Sequence, residues 1–260
     1  MLMMVSAGGL GLCAGSFANV FLYRHPRGES VWVPGSHCPH CGAAVRWRHN
    51  VPVFGWLALR GRCYDCHGSI SPQYPLVEAA FGALGVAVAW RFGPSPESWA
   101  YLGFFWALLL GALADWQTQY LFDAITVPLM VLGLGASWAF PRLLGGPWQS
   151  LLAELGMAAT MLALLSLGKW LFGRDAMGMG DVKLMAGAAG FLGWPQAWLA
   201  LLLGSLLGLP MLLLYRWTRG GQWKDPVPYG PALALGCAVA AWDLLGGAPA
   251  LPSWLGFPPA

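Results

Sequence analysis

Charge is what this chain has least of. Asp, Glu, Lys and Arg make up 10% of its 260 residues, while 57% are hydrophobic; soluble globular domains carry roughly 25% charged residues. That deficit excludes an ordinary soluble enzyme. Histidine is absent outside one early segment, where His25, His37, His40, His49 and His67 all fall. No internal repeat of convincing period and no low-complexity linker is visible. The amino terminus lacks the basic flank and cleavage site of a secretory signal, so 2–22 reads as a first, short transmembrane helix.

What replaces charge is a series of apolar runs, each approaching the ~20 residues that cross a bilayer. Eight segments are expected, at about 2–22, 76–92, 99–115, 124–141, 150–171, 182–194, 196–216 and 229–247. The sixth is short and rich in small residues, Ala186 to Gly190, which let helices approach closely in lipid. The fold class expected is therefore an all-α polytopic membrane protein of about eight transmembrane helices, with a small cytoplasmic zinc-binding module between helices 1 and 2. Its domains read as a first helix (1–22), the module (23–75), a membrane-embedded bundle (76–247) and a short tail (248–260).

The few basic residues are unevenly spread. Arg24, Arg27, Arg46, Arg48, Arg60 and Arg62 lie before the second run; Lys169, Arg174, Lys183, Arg216, Arg219 and Lys224 follow the fifth and later ones; only Arg91 and Arg142 remain. If the spans alternate, those two fall on one side and the rest on the other, which the positive-inside rule assigns to the cytoplasm.

The segment 23–75 is too small for a strong core of its own, and domains of that size often need a metal or disulfides. It contains Cys38-Pro39-His40-Cys41-Gly42 and, 22 residues after Cys41, Cys63-Tyr64-Asp65-Cys66. Two C-x-x-C knuckles at that separation supply four thiolates for a closed, structural zinc site. A reducing cytoplasm disfavours disulfides, and metal ligation would provide folding energy. Unligated thiols, a redox pair or a mixed Cys/His site are the competing readings. Cys13 and Cys237 lie in apolar runs and read as small hydrophobic residues.

Acidic groups at membrane depth are costly and mark functional sites. Asp115 ends one apolar run, Asp123 begins the next, and Asp181 sits in Gly178-Met179-Gly180-Asp181-Val182-Lys183. By the expected topology Asp115 and Asp181 share the cytoplasmic side. Two adjacent carboxyls divide into an acid and a base, which is what aspartyl proteolysis requires. The glycines flanking Asp181 allow an extended substrate backbone to come close. The bland reading is that both acids merely mark helix ends. Glu78 reads as structural, pairing with a basic residue of the zinc module, and Glu154 and Asp243 as interfacial or packing residues.

The ordered motifs resemble one family, the type IV prepilin peptidases, which are leader peptidase and N-methyltransferase enzymes. The resemblance runs through Gly15-Ser16-Phe17-Ala18-Asn19-Val20, Tyr23-Arg24, both cysteine knuckles and Tyr74-Pro75-Leu76-Val77-Glu78. It continues through the segment 115–123, the G-x-G-D motif at 178–181 with Lys183-Leu184, and Pro228-Tyr229-Gly230-Pro231. Gln117 and Phe122 stand where the family commonly has an acid and a proline. The resemblance implies catalysis by Asp115 and Asp181, with Asp123, Gly178, Gly180 and Lys183 in support, and metal ligation by Cys38, Cys41, Cys63 and Cys66. It implies cleavage after a glycine in type IV prepilins or type II secretion pseudopilins at the cytoplasmic face of the bacterial inner membrane. Methylation of the new amino terminus by S-adenosylmethionine is implied as well, although no methyl-donor motif is visible. Beyond these substrates and membrane lipid no nucleic-acid partner is expected. A proton- or ion-coupled transporter using the same carboxylates, and a zinc-stabilised scaffold, are the readings from other classes.

Overall fold

In a computed structural model the described residues are 1–141, 146–173, 177–219 and 227–244. The tail 248–260, Arg142, Arg174 and Lys224 lie outside them, as does the side chain of Asp243. The described residues form helices joined by turns, with two isolated antiparallel bridges and no strand. Among the described residues five helical stretches are long and apolar enough to cross a membrane: Leu2–Arg27, Gln73–Phe92, Pro96–Thr118, Pro147–Leu171 and Met179–Thr218. Asp123–Ala139 and Gly230–Trp242 are shorter apolar helices.

The chain divides into two compact units, Met1–Pro94 and Ser95–Ala260. In the first, α1 (Leu2–Arg24) packs against α3 (Gln73–Phe92). Small residues make that packing tight. A methyl group on Gly15 would stand 2.6 Å from the Glu78 Cα, and those on Gly11 and Gly85 would meet the Phe81 and Ala7 carbonyls. Such close backbone approach is the usual basis of helix association in lipid. Asn19 of α1 adds a hydrogen bond, its side-chain amide donating to the Tyr74 carbonyl at 3.0 Å.

Between these helices runs the cysteine segment, with one short helix, α2 (Phe54–Ala58). It is tied back at two places. Buried Arg24 donates to the carbonyls of Ser30, Pro34 and Gly35 at 3.1, 2.7 and 3.2 Å. Buried Glu78 accepts the Val53 backbone N–H at 2.6 Å, so it anchors the segment, as a structural residue, through a backbone amide where a basic side chain is the expected partner.

The second unit contains α4 (Pro96–Thr118), α5 (Asp123–Ala139), α6 (Pro147–Phe172), α7 (Met179–Arg219) and α8 (Gly230–Leu244). Ser95 caps α4 by accepting the Ser98 N–H, with Pro96 at the first helical position. α7 is interrupted at Gly193, whose φ of 73° and ψ of 170° break the helix just before Pro195. The chain reverses there. Residues before the break pack on α5 and α6, with Gly187 against Met130 and Gly190 against Glu154; residues after it pack on α8, with Gly204 against Leu233. Tyr215 then lies beside Trp116 and Gln119, back at the end of α4 that carries Asp115. The separate runs expected at 182–194 and 196–216 correspond to these two arms.

The core of this unit is aromatic and sulfur-rich. Phe104 meets Phe191 with ring centroids 4.7 Å apart, and the Cys237 thiol is 3.6 Å from the Met185 sulfur. Cys237 thus fills apolar space as expected, whereas Cys13 is exposed on α1.

Candidate functional site

Asp115 lies in the last turn of α4 and is 6% exposed. The helix ends just beyond it because Gln119 turns left-handed (φ 56°) and donates its N–H to the Asp115 carbonyl at 2.8 Å. Asp181 lies in the first turn of α7 and is 7% exposed. Its Oδ2 accepts the Gly178 N–H at 3.1 Å, while its own N–H donates to the Gly178 carbonyl at 3.2 Å. The Asp181 side chain thus reaches back to the N-cap amide, the acidic half of a capping box, and a carboxylate is well placed against the positive end of a helix dipole. One acid ends a helix, the other starts one, and both termini lie at the same end of the unit.

The start of α8 completes the arrangement. The Gly230 N–H donates to Asp115 Oδ2 at 2.7 Å. A Cβ at position 230 would stand 2.9 Å from that oxygen and 3.1 Å from the carboxyl carbon, so only glycine lets this backbone come so near. The carboxyls of Asp115 and Asp181 are within range of each other's charge, and the Tyr229 hydroxyl is in range of Asp181. Tyr229 is itself held through its hydroxyl, 3.0 Å from Ser205 Oγ. On the other flank Gly180 packs on Leu121, where an added methyl group would stand 2.6 Å from the Leu121 Cβ.

Asp123 and Lys183 come together at 2.7 Å as an ion pair, with side chains 62% and 34% exposed. Asp123 is therefore linked to the first turn of α7 through Lys183. The expected acids Asp115 and Asp181 are brought together, and Gly178 and Gly180 sit where the motif places them. Gly230 and Tyr229 received no role from the sequence, although a glycine between two prolines was a usable signal of a constrained backbone. Glu154 is buried against Gly133 and Gly190 on α5 and α7, a packing position as expected.

In the first unit Cys38, Cys41, Cys63 and Cys66 gather with all four sulfurs within 4.8 Å of one another. The sulfurs of Cys38 and Cys66 are 3.8 Å apart, the separation that two thiolates ~2.3 Å from one tetrahedral zinc would have. Each knuckle is built alike. The Cys38 N–H donates to the Ala43 carbonyl and the Gly42 N–H to the Cys38 carbonyl, both at 2.9 Å; Cys63 and Gly68 pair at 2.8 Å, and the His67 N–H returns to Cys63 at 3.0 Å. Backbone amides of Cys41 and His40 point at the Cys38 sulfur and pull its thiol down to about 6, while the neighbouring Cys41 thiol is pushed up to about 12. The donor set and its spacing fit a structural metal.

The fold and site define a polytopic membrane protein with a buried carboxyl pair and a four-cysteine cluster. Residues 10–92 match the bacterial peptidase A24 N-terminal domain, and residues 102–213 match the type IV leader peptidase family. The chain is 37% identical over 259 aligned residues to a prepilin leader peptidase/N-methyltransferase of Burkholderia pseudomallei, covering 88% of this chain and 82% of that protein. Proteins of the same description from Stutzerimonas stutzeri and Pseudomonas aeruginosa are 37% and 35% identical, each over 91% of this chain and 88% and 87% of theirs. The chain belongs to the type IV leader peptidase family. No solved structure matches it significantly, and nothing in these likenesses supports the transporter reading.

Proposed function

We infer that this protein removes the leader peptide from type IV prepilins by aspartyl proteolysis and methylates the amino terminus so exposed. The observation that carries the proteolytic part is that Asp115 and Asp181 lie at the same end of the unit, both buried, each accepting one backbone N–H, with Asp181 in range of the Asp115 charge.

The pair shares one proton. The ionised carboxylate takes a proton from a water molecule as that oxygen bonds to the scissile carbonyl carbon, and the protonated carboxyl passes its proton to the carbonyl oxygen. The gem-diol then collapses: the C–N bond breaks, the carboxyl that received the water proton delivers it to the departing amine, and one hydroxyl returns its proton to the other carboxylate, which restores the shared proton. Gly230 fixes the rotamer of Asp115, and the Gly178 amide fixes that of Asp181. Gly178 leaves room beside the Asp181 carboxyl for an extended substrate segment, whereas the space at Gly180 is filled by Leu121; Asp123 and Lys183 support the first turn of α7.

Cys38, Cys41, Cys63 and Cys66 would hold a zinc ion, which supplies folding stability to a segment with little core. Methyl transfer comes to this chain from its relatives' names, S-adenosylmethionine is the donor that the family resemblance implies, and no residue is assigned to it.

Eight crossings follow if α1, α3, α4, α5, α6, the two arms of α7 and α8 each traverse the bilayer. Lys169, Lys183 and Arg216 lie near the ends of their helices on the carboxyl side, which supports a cytoplasmic placement by the positive-inside rule. The enzyme would then work in the bacterial inner membrane, with substrate leaders in water and substrate helices in lipid. Type II secretion pseudopilins are the further substrate class. The functional division proposed is 1–22, the metal module 23–75, the peptidase bundle 76–247 and the tail 248–260. Purified protein incubated with a prepilin in detergent, followed by mass spectrometry of the product's amino terminus, tests both activities together; an intact leader after prolonged incubation would end the proposal.

A further inference from the structure

Loop 30–35 leaves the end of α1 and turns back along it. Gly28 makes the first bend with φ 70°, and the Glu29 N–H closes onto the Arg24 carbonyl at 3.1 Å. Ser30 Oγ accepts the N–H groups of Trp32 and Val33 at 3.2 and 3.3 Å. The Arg24 guanidinium holds the carbonyls of Ser30, Pro34 and Gly35. With its backbone pinned at both ends, the loop presents its middle residues outward: Trp32 is 78% exposed and Val33 69%.

The direction of that presentation is fixed by a ring contact. Trp32 lies on Phe17, with ring centroids 5.6 Å apart. Phe17 sits about two turns before Arg24 in α1, roughly 10 Å down the axis at ~1.5 Å per residue. Trp32 therefore stands beside the apolar span, below its end. Above it, at the end of the helix, Arg27 stacks over the Tyr23 ring at 4.0 Å. An apolar tip flanked on the aqueous side by Tyr and Arg has the order of side chains found across a membrane interface.

We propose that Trp32 and Val33 form an interfacial wedge that seats the cysteine module on the bilayer, with the Trp32 ring among the acyl chains next to α1 and Arg27 at the lipid phosphates. The occupant of this apolar surface is lipid, because the surface continues the apolar helix α1 at its exposed Phe17 and its rim is cationic, matching anionic headgroups. Arg24 is the positioning residue of the wedge. This goes beyond the catalytic reading and does not depend on it: the wedge could be right in a protein that cleaves nothing.

The test places a photoreactive benzophenone amino acid at position 32 of the full chain. The protein is reconstituted, without prepilin, in nanodiscs of phosphatidylethanolamine and phosphatidylglycerol, and lipid adducts are measured by mass spectrometry after illumination. The same probe at position 65, where Asp65 is exposed and paired with Arg46, is the control. Adduct yield at 32 is expected to exceed that at 65 by about tenfold, as an interfacial side chain should against an aqueous one. Equal yields overturn the wedge. So does a crosslink at 32 that moves from lipid to polypeptide when a prepilin is added. If the variant at 32 loses its metal, the probe at 33 makes the same measurement with the indole intact, and absence of lipid adducts there overturns the proposal.

Discussion

Gly230 and Asp115 are 115 residues apart in the chain, yet the amide of one donates to the carboxylate of the other at 2.7 Å. The bond joins the start of α8 to the end of α4 and aims one oxygen of the proposed dyad. Substituting Gly230→Ala would place a methyl group 2.9 Å from that oxygen, so the carboxyl must move. Displacements approaching 1 Å in a catalytic group cost about 10²-fold in rate, and a loss of that size in prepilin processing is expected. Gly135→Ala is the control, since nothing lies within 4 Å of its added carbon. Equal activity in the two variants would show that Asp115 orientation does not matter.

Asp115→Asn and Asp181→Asn should each lower the cleavage rate by about 10²- to 10⁴-fold, the usual range for loss of an acid or base. The double variant should be little worse than either single one, because the two groups act as a unit. Single-turnover kinetics on a prepilin measures this. Full multiplication of the two effects would mean that the residues work in separate steps.

Asp123 behaves differently. Its partner is Lys183, and both side chains are substantially exposed, where an ion pair contributes only about 0–1 kcal/mol. Asp123→Asn should therefore slow processing by no more than about fivefold, and added salt should weaken the wild type toward the variant. A loss equal to that of Asp115→Asn would move Asp123 into the reacting pair.

Replacing Cys38 and Cys63 together with Ser should abolish metal binding, measured as zinc per chain in purified protein, where about one is expected for the wild type. Stability or methylation should suffer more than peptide-bond cleavage, since the carboxyl pair is built entirely from α4, α7 and α8. Wild-type protein carrying no metal would refute the structural site.

Glu78 offers a separate check on the cysteine segment. Glu78→Ala would leave the Val53 N–H without its acceptor, a loss of about 1–3 kcal/mol when such a group stays buried. Val53 also holds a positive φ of 62°, which is strained for a β-branched residue, so the segment should open there and become protease-sensitive. Glu78→Gln retains a carbonyl oxygen and should largely restore resistance. Equal cleavage of wild type and Glu78→Ala in limited proteolysis would deny the anchor.

Much of this architecture is legible in the chain itself. Apolar runs mark the helices because no polar backbone group survives unpaired in lipid, and the scarcity of charge makes each remaining Asp conspicuous. The cysteine knuckles announce themselves by spacing, as ligands close in sequence must be close in space. The break between 182–194 and 196–216 is visible at Gly193 and Pro195.

Other features were hidden for a physical reason. Glu78 reads as a partner for a basic residue because sequence shows side chains, whereas its partner is a backbone N–H, which every non-proline residue possesses. Gly230 stands out in the sequence only as part of a motif, since nothing local distinguishes a glycine that makes room for a carboxylate from one that makes a turn. Thus sequence alone determined the membrane class, the apolar segments, the four-cysteine cluster and the list of candidate acids, all of which depend on composition and short-range spacing. Tertiary structure decided which acids meet, which one turns to Lys183, and which amides aim them, because those choices depend on where helix ends far apart in the chain come to lie.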